Sequence, residues 1–161
     1  MKISKKKTIV ISCNDSYFVN SFIENPNIIL CTFFGNIIQS SSNLDLDYFK
    51  YCVYEEGASE ILVVGHYNCD NNESMQLHQL EKSNWTSAKK QLNILRKKSD
   101  KERIPTTPKK QKVWIDLIDQ ILKISRMSLF QNNRCKFEIN IKGIIIYEVK
   151  NYQVQEVNLI N

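Results

Sequence analysis

EEGASEILVVGHYNC, residues Glu55–Cys69, is the stretch on which the fold turns. Gly57 closes a helical run, and Glu60–Gly65 that follows is almost continuous in Ile, Leu and Val. A strand with no polar alternation is one covered on both faces, which is how strands of a parallel α/β sheet read. The run hands over directly to His66 and Cys69. An earlier β-branched run, Thr8–Ile11, ends in the same manner in Cys13-Asn14-Asp15. The carboxyl ends of strands in an open parallel sheet are where binding sites collect. Two thiols, an imidazole and a carboxylate make a complete tetrahedral donor set for zinc, which accepts sulfur, nitrogen and oxygen. Cys13, Asp15, His66 and Cys69 are therefore the candidate ligands of a mononuclear zinc site. Asp15 also fits the cap of a following helix, a role compatible with metal contact.

Working outward, Lys6–Ser12 is a strand and Asp15–Glu24 a short helix. Asn27–Phe34 is a second strand ending at Gly35-Asn36. Leu44–Glu56 carries Phe49, Cys52 and Val53 at helical spacing. Further helices follow from Trp85, Ala88, Leu92 and Leu95, and from Trp114, Leu117, Ile118, Ile121 and Leu122, each set sharing one face. Arg96–Lys112, lysine-rich and broken by Pro105 and Pro108, reads as the one linker. Phe137, Ile139 and Ile141 alternate with polar residues before Gly143 and Ile144–Tyr147, and Lys150-Asn151 turns that strand back into Tyr152–Val157. The order predicts an α/β fold: a four-stranded parallel sheet plus an antiparallel edge strand, with helices on both faces.

The 161 residues fit a single domain, 1–161. Five cysteines, an odd number spread along the chain, do not form a disulfide framework and suit a reducing compartment. Cys31, Cys52 and Cys135 lie in apolar segments and are expected in the core. Met1–Lys7 is basic, but only Thr8–Ser12 precedes Cys13, too short for a signal-peptide core. No later segment approaches a membrane span, so a cytoplasmic protein without a membrane partner is expected. Arg96, Lys97, Lys98, Lys101, Arg103, Lys109, Lys110 and Lys112 form a basic stretch. It has no interleaved aromatics and no binding motif, so a solvated surface is expected rather than a nucleic-acid site. His78, without metal-competent neighbours, is expected to be exposed.

The spacing Cys13-x-Asp15 and then His66-x-x-Cys69 resembles the β-class carbonic anhydrases. Phe34-Gly35-Asn36 stands where that family has Ala-Gly-Asn. Glu55–His66 resembles the helix and strand leading into its Gly-His-Ser-x-Cys motif, and Ile141–Val149 resembles its final strand pair. The resemblance implies that Cys13, His66 and Cys69 hold Zn2+. It makes Asp15 either the fourth ligand or the group that orients the zinc-bound water. It further implies a lyase that reversibly hydrates carbon dioxide to bicarbonate with zinc-bound hydroxide, and at least a homodimer. The chain departs from the family at three places. Tyr17 stands where the family's Cys-x-Asp-x-Arg motif has the arginine that draws the aspartate off the metal. Thr32-Phe33-Phe34 replaces Arg-Asn-Ala, and Asp70 follows Cys69 where glycine is usual. A phenol lacks the bidentate cationic fork of guanidinium. Two outcomes follow: a lyase in which Tyr17 hydrogen-bonds Asp15 in the arginine's place, or a non-catalytic zinc protein, structural or binding, in which Asp15 closes the site.

Overall fold

Side chains branched at Cβ favour the extended backbone, and each of the apolar runs forms a strand. The structure, a computed structural model, describes residues 6–13, 24–33, 43–67, 82–98, 106–127, 139–148 and 153–157. In chain order the elements are β1 (Lys7–Cys13), β2 (Ile28–Phe33), α1 (Asn43–Tyr54) and β3 (Ala58–His66), then α2 (Lys82–Lys98), α3 (Pro108–Ser125), β4 (Asn140–Glu148) and β5 (Gln153–Val157). They build one sheet in the order β2-β1-β3-β4-β5. The first four strands run parallel, and β5 pairs antiparallel with β4. This is the expected fold class.

Period-two alternation divides the sheet's residues between two faces. Ile9 and Ile11 of β1, Ile61 and Val63 of β3, and Ile145 of β4 bury one face under Phe49, Cys52 and Val53 of α1, Ala88 and Leu92 of α2, and Trp114, Leu117, Ile118 and Ile121 of α3. Right-handed crossovers account for this common side. The steps from β2 to β3 and from β3 to β4 move in one direction across the sheet, so their helices land together. Val10, Val64 and Ile146 form the buried centre of the opposite face, while the three described helices all pack on the first face. The expected helix Asp15–Glu24 lies outside the described residues except for Glu24. So do Phe34-Gly35-Asn36, His78, Cys135, Phe137 and Lys150-Asn151.

Cys31 and Cys52 are buried thiols of the core, as expected. Burial, together with those thiols, pushes the Tyr48 phenol well above its ordinary range.

Some boundaries differ from expectation, each for a local reason. β3 extends at both ends beyond Glu60–Gly65 and takes His66 into the strand. α1 stops at Tyr54 rather than Glu56, and Gly57 makes the exit at φ 72°, a conformation only glycine adopts without strain. The expected linker Arg96–Lys112 is helical at both its ends, and 99–105 lie outside the described residues. α2 continues through Lys98, and α3 begins at Pro108, where proline's missing N–H costs nothing because a first-turn donor has no helical partner anyway. Pro108 thus opens a helix where the sequence pattern suggests a break.

Gly143 marks the closest approach of α3 to the sheet. A Cβ there would lie 2.7 Å from Ile121 Cδ1 and 3.0 Å from Leu117 Cδ2. At Gly65 the nearest atom would be Val113 Cγ1 at 3.4 Å, an ordinary contact. Gly143→Val is therefore expected to cost about 1–3 kcal/mol by overpacking, while Gly65→Ala stays near neutral. Urea unfolding midpoints of the two variants against the wild type check the contrast.

Candidate metal centre

The crossovers reverse direction at β1. The chain goes from β1 outward to β2, then returns past β1 to β3, so β1 and β3 are neighbours flanking the switch point. Their carboxyl ends border the crevice in which open α/β sheets bind ligands. β1 ends at Cys13 and β3 ends at His66. Their register pairs Ile11 with Val63, so Cys13, two residues on, is level with Gly65, next to His66. Cys13 is 0% exposed and His66 8%. A thiol and an imidazole thus close the same end of adjacent strands, away from bulk water.

The imidazole has a defined hydrogen-bond environment. His66 Nδ1 lies 3.2 Å from the Tyr67 backbone carbonyl oxygen. A carbonyl only accepts, so this contact assigns the proton to Nδ1 and leaves the lone pair of the neutral ring on Nε2. That is the tautomer in which a histidine binds a metal through Nε2, with its other nitrogen held by a backbone acceptor. Tyr67 is itself tied to α3. Trp114 Nε1 donates to the Tyr67 hydroxyl at 3.1 Å, and the Lys110 ammonium lies 5.6 Å from the ring centroid. Ser12, the residue before Cys13, is fully buried and donates to the Cys13 carbonyl at 3.3 Å.

Of the expected ligands, the structure brings Cys13 and His66 to one edge. Asp15, Cys69 and the companion Tyr17 lie outside the described residues. Among the described residues no three His, Cys, Asp or Glu side chains gather as a metal cluster. Cys13 and His66 fit zinc in chemical type, burial and tautomer.

With the geometry in place, comparison with known proteins is informative. The carbonic anhydrase family model matches residues 8–157, nearly the whole chain. The chain belongs to the β-carbonic anhydrase family. The β-carbonic anhydrase CafD of Aspergillus fumigatus superposes with a TM-score of 0.65 at 16% identity, covering 98% of this chain and 92% of that one. One of two tetrameric β-carbonic anhydrases from Sordaria macrospora gives 0.64 at 13% identity, covering 95% and 81%. The Coccomyxa β-carbonic anhydrase in complex with acetazolamide gives 0.60 at 16%, covering 94% and 72%. At these identities the structural likeness shows the fold. Comparison with curated proteins finds no significant match.

Two features were missed in the sequence. One is the Tyr67–Trp114 link, since Tyr67 replaces the serine of the family motif and Trp114 reads simply as core. The other is Asp119 of α3, which is 0% exposed and paired with Lys123 at 2.8 Å. Asp-x-x-x-Lys on a helix is a common surface pattern, and nothing in it announces burial. Among the described residues the Lys123 ammonium is the group that compensates the buried Asp119 carboxylate. One turn away, burial pushes the Asp116 carboxyl up despite Lys112 at 2.8 Å. A carboxyl raised on folding opposes stability at neutral pH, and that opposition fades as pH falls toward the ordinary carboxylate range. Lys123→Met would leave Asp119 buried and uncompensated, at an expected cost of about 3–5 kcal/mol. Adding Asp119→Asn should recover part of it, a double-mutant comparison read by urea unfolding.

Proposed function

We propose that this β-carbonic anhydrase family member is a zinc-dependent lyase that interconverts carbon dioxide and bicarbonate, with Cys13, His66 and Cys69 as the ligands. The carrying observation is the placement of buried Cys13 and His66 at the carboxyl ends of adjacent parallel strands, with His66 Nδ1 3.2 Å from the Tyr67 carbonyl oxygen. The family match over residues 8–157 supports the same reading. Zinc held there supplies Lewis acidity, lowering the pKa of a coordinated water toward neutrality so that carbon dioxide can be attacked.

The remaining chemistry falls to the chain's own groups. Cys13 and Cys69 bind as thiolates, which cancel the charge of the dication and make the centre less acidic than an all-histidine one. His66 binds as the neutral ring. Asp15 would orient the attacking oxygen by accepting a hydrogen bond from it, and the Tyr17 hydroxyl would donate a hydrogen bond to Asp15 in place of the family's arginine. A neutral donor holds a carboxylate less firmly than a guanidinium does. Turnover is therefore expected below that of a relative with arginine at this place. The same substitution favours a second reading, in which Asp15 takes the fourth position and the zinc is structural or serves a binding module.

Stopped-flow carbon dioxide hydration on zinc-loaded protein, across roughly pH 7 to 9 where such a water ionises, separates the two. The lyase reading expects a rate above buffer that rises with pH, and a faster Tyr17→Arg variant. A buffer rate in the wild type with recovery only in Tyr17→Arg identifies the closed site. A buffer rate in both overturns the lyase.

Purified protein is expected to hold one zinc per chain, and Cys69→Ser to lose metal and stability together, because binding energy at such a site is also folding energy. Metal analysis alongside thermal unfolding checks this. We further propose a cytoplasmic homodimer or higher oligomer. The half-buried Ile28, Leu30, Leu62 and Ile144 on the second face offer apolar surface for a partner copy. No described helix is long and apolar enough to cross a membrane. Sedimentation at micromolar concentration should show no monomer.

A further inference from the structure

We infer that Tyr67 is a positioning residue for His66, fixing the imidazole's tautomer and direction through contacts with the first turns of α3. The inference rests on the zinc reading above for its consequence, and on the hydrogen-bond geometry for its mechanism. Three contacts meet on Tyr67. Its backbone carbonyl receives the His66 Nδ1 proton at 3.2 Å. Its hydroxyl accepts from Trp114 Nε1 at 3.1 Å. Its ring packs against the main core and lies under the Lys110 ammonium at 5.6 Å, within cation–π range.

Trp114 is 2% exposed and wedged in the core, so the donor end of the chain of contacts is rigid. A hydroxyl fixed to a rigid indole fixes the tyrosine ring. The ring in turn restrains the backbone turn at Tyr67, and so the carbonyl that His66 uses. The group that a metal would meet is Nε2, and its direction is set by the far end of this relay. Serine, the residue of the family motif at this position, is too short to reach the indole. The arrangement therefore belongs to this chain's own pair of aromatic residues, and it couples α3 to the metal edge of β3.

Tyr67→Phe removes only the hydroxyl and is the principal test. Trp114→Phe removes the donor of the same bond, and the double variant removes both. Zinc affinity is measured by chelator competition, and the His66 tautomer by nitrogen NMR of the imidazole in zinc-free protein. Each single variant is expected to bind zinc roughly tenfold more weakly, the lower end for groups that orient a ligand. The double variant should be no worse than either single. Zinc-free wild type should show the proton on Nδ1, and Tyr67→Phe a mixture of tautomers. A merely structural tyrosine would leave the tautomer unmoved. Unchanged affinity and tautomer in Tyr67→Phe, with wild type binding zinc, overturn the inference. A wild type that binds no zinc overturns the metal reading instead, and the tautomer alone then decides the role of Tyr67.

Discussion

The parallel pairing of β1 with β3 is the constraint on which the rest of the molecule depends. It creates the switch point of the sheet, because β2 lies on one side of β1 and β3, β4 and β5 lie on the other. It aligns Ile9 with Ile61 and Ile11 with Val63, the pairs on which the large apolar face is built. The same register carries Cys13 and His66 to one edge. A slip of one residue would exchange the two faces of a strand, turning Ile9 and Ile11 away from α1 and α3. The register that builds the core therefore also sets where Cys13 and His66 stand.

How much of this was legible depends on the kind of signal. Strands announced themselves because Thr8–Ile11 and Ile61–Val64 are apolar without alternation, and the positions of Cys13 and His66 followed from where those runs stop. The family likeness, carried by a few spaced residues, was confirmed over residues 8–157. Helix ends were less legible. The face of Trp114, Leu117 and Ile118 announces its helix, but the lysines and Pro108 before it disguise the helix's start, although a proline in a first turn is harmless. Least legible were tertiary polar contacts. Trp114 to Tyr67 spans 47 residues, and the burial of Asp119 depends on what surrounds α3 rather than on its own pattern.

The chain keeps the family's fold while its sequence departs from the family motif at Tyr17. In the proposed centre two thiolates, an imidazole and one adjacent carboxylate carry the charge balance. Replacing a guanidinium by the Tyr17 phenol removes a full positive charge from that balance. It also exchanges a bidentate clamp for a single hydrogen bond. Whether Asp15 sits on the metal or beside it is then a contest between one carboxylate–zinc bond and one neutral hydrogen bond. On the opposite flank Tyr67 adds a contact to α3 that steadies the imidazole.

The central claim is that β1 and β3 present a zinc site of two sulfur ligands and one imidazole. X-ray absorption at the zinc edge, on protein purified without chelators, tests it most directly. The account predicts two sulfur scatterers at about 2.3 Å and two nitrogen or oxygen scatterers at about 2.0–2.1 Å, including the imidazole signature. A shell of nitrogen and oxygen alone, or one of four sulfurs, would contradict it.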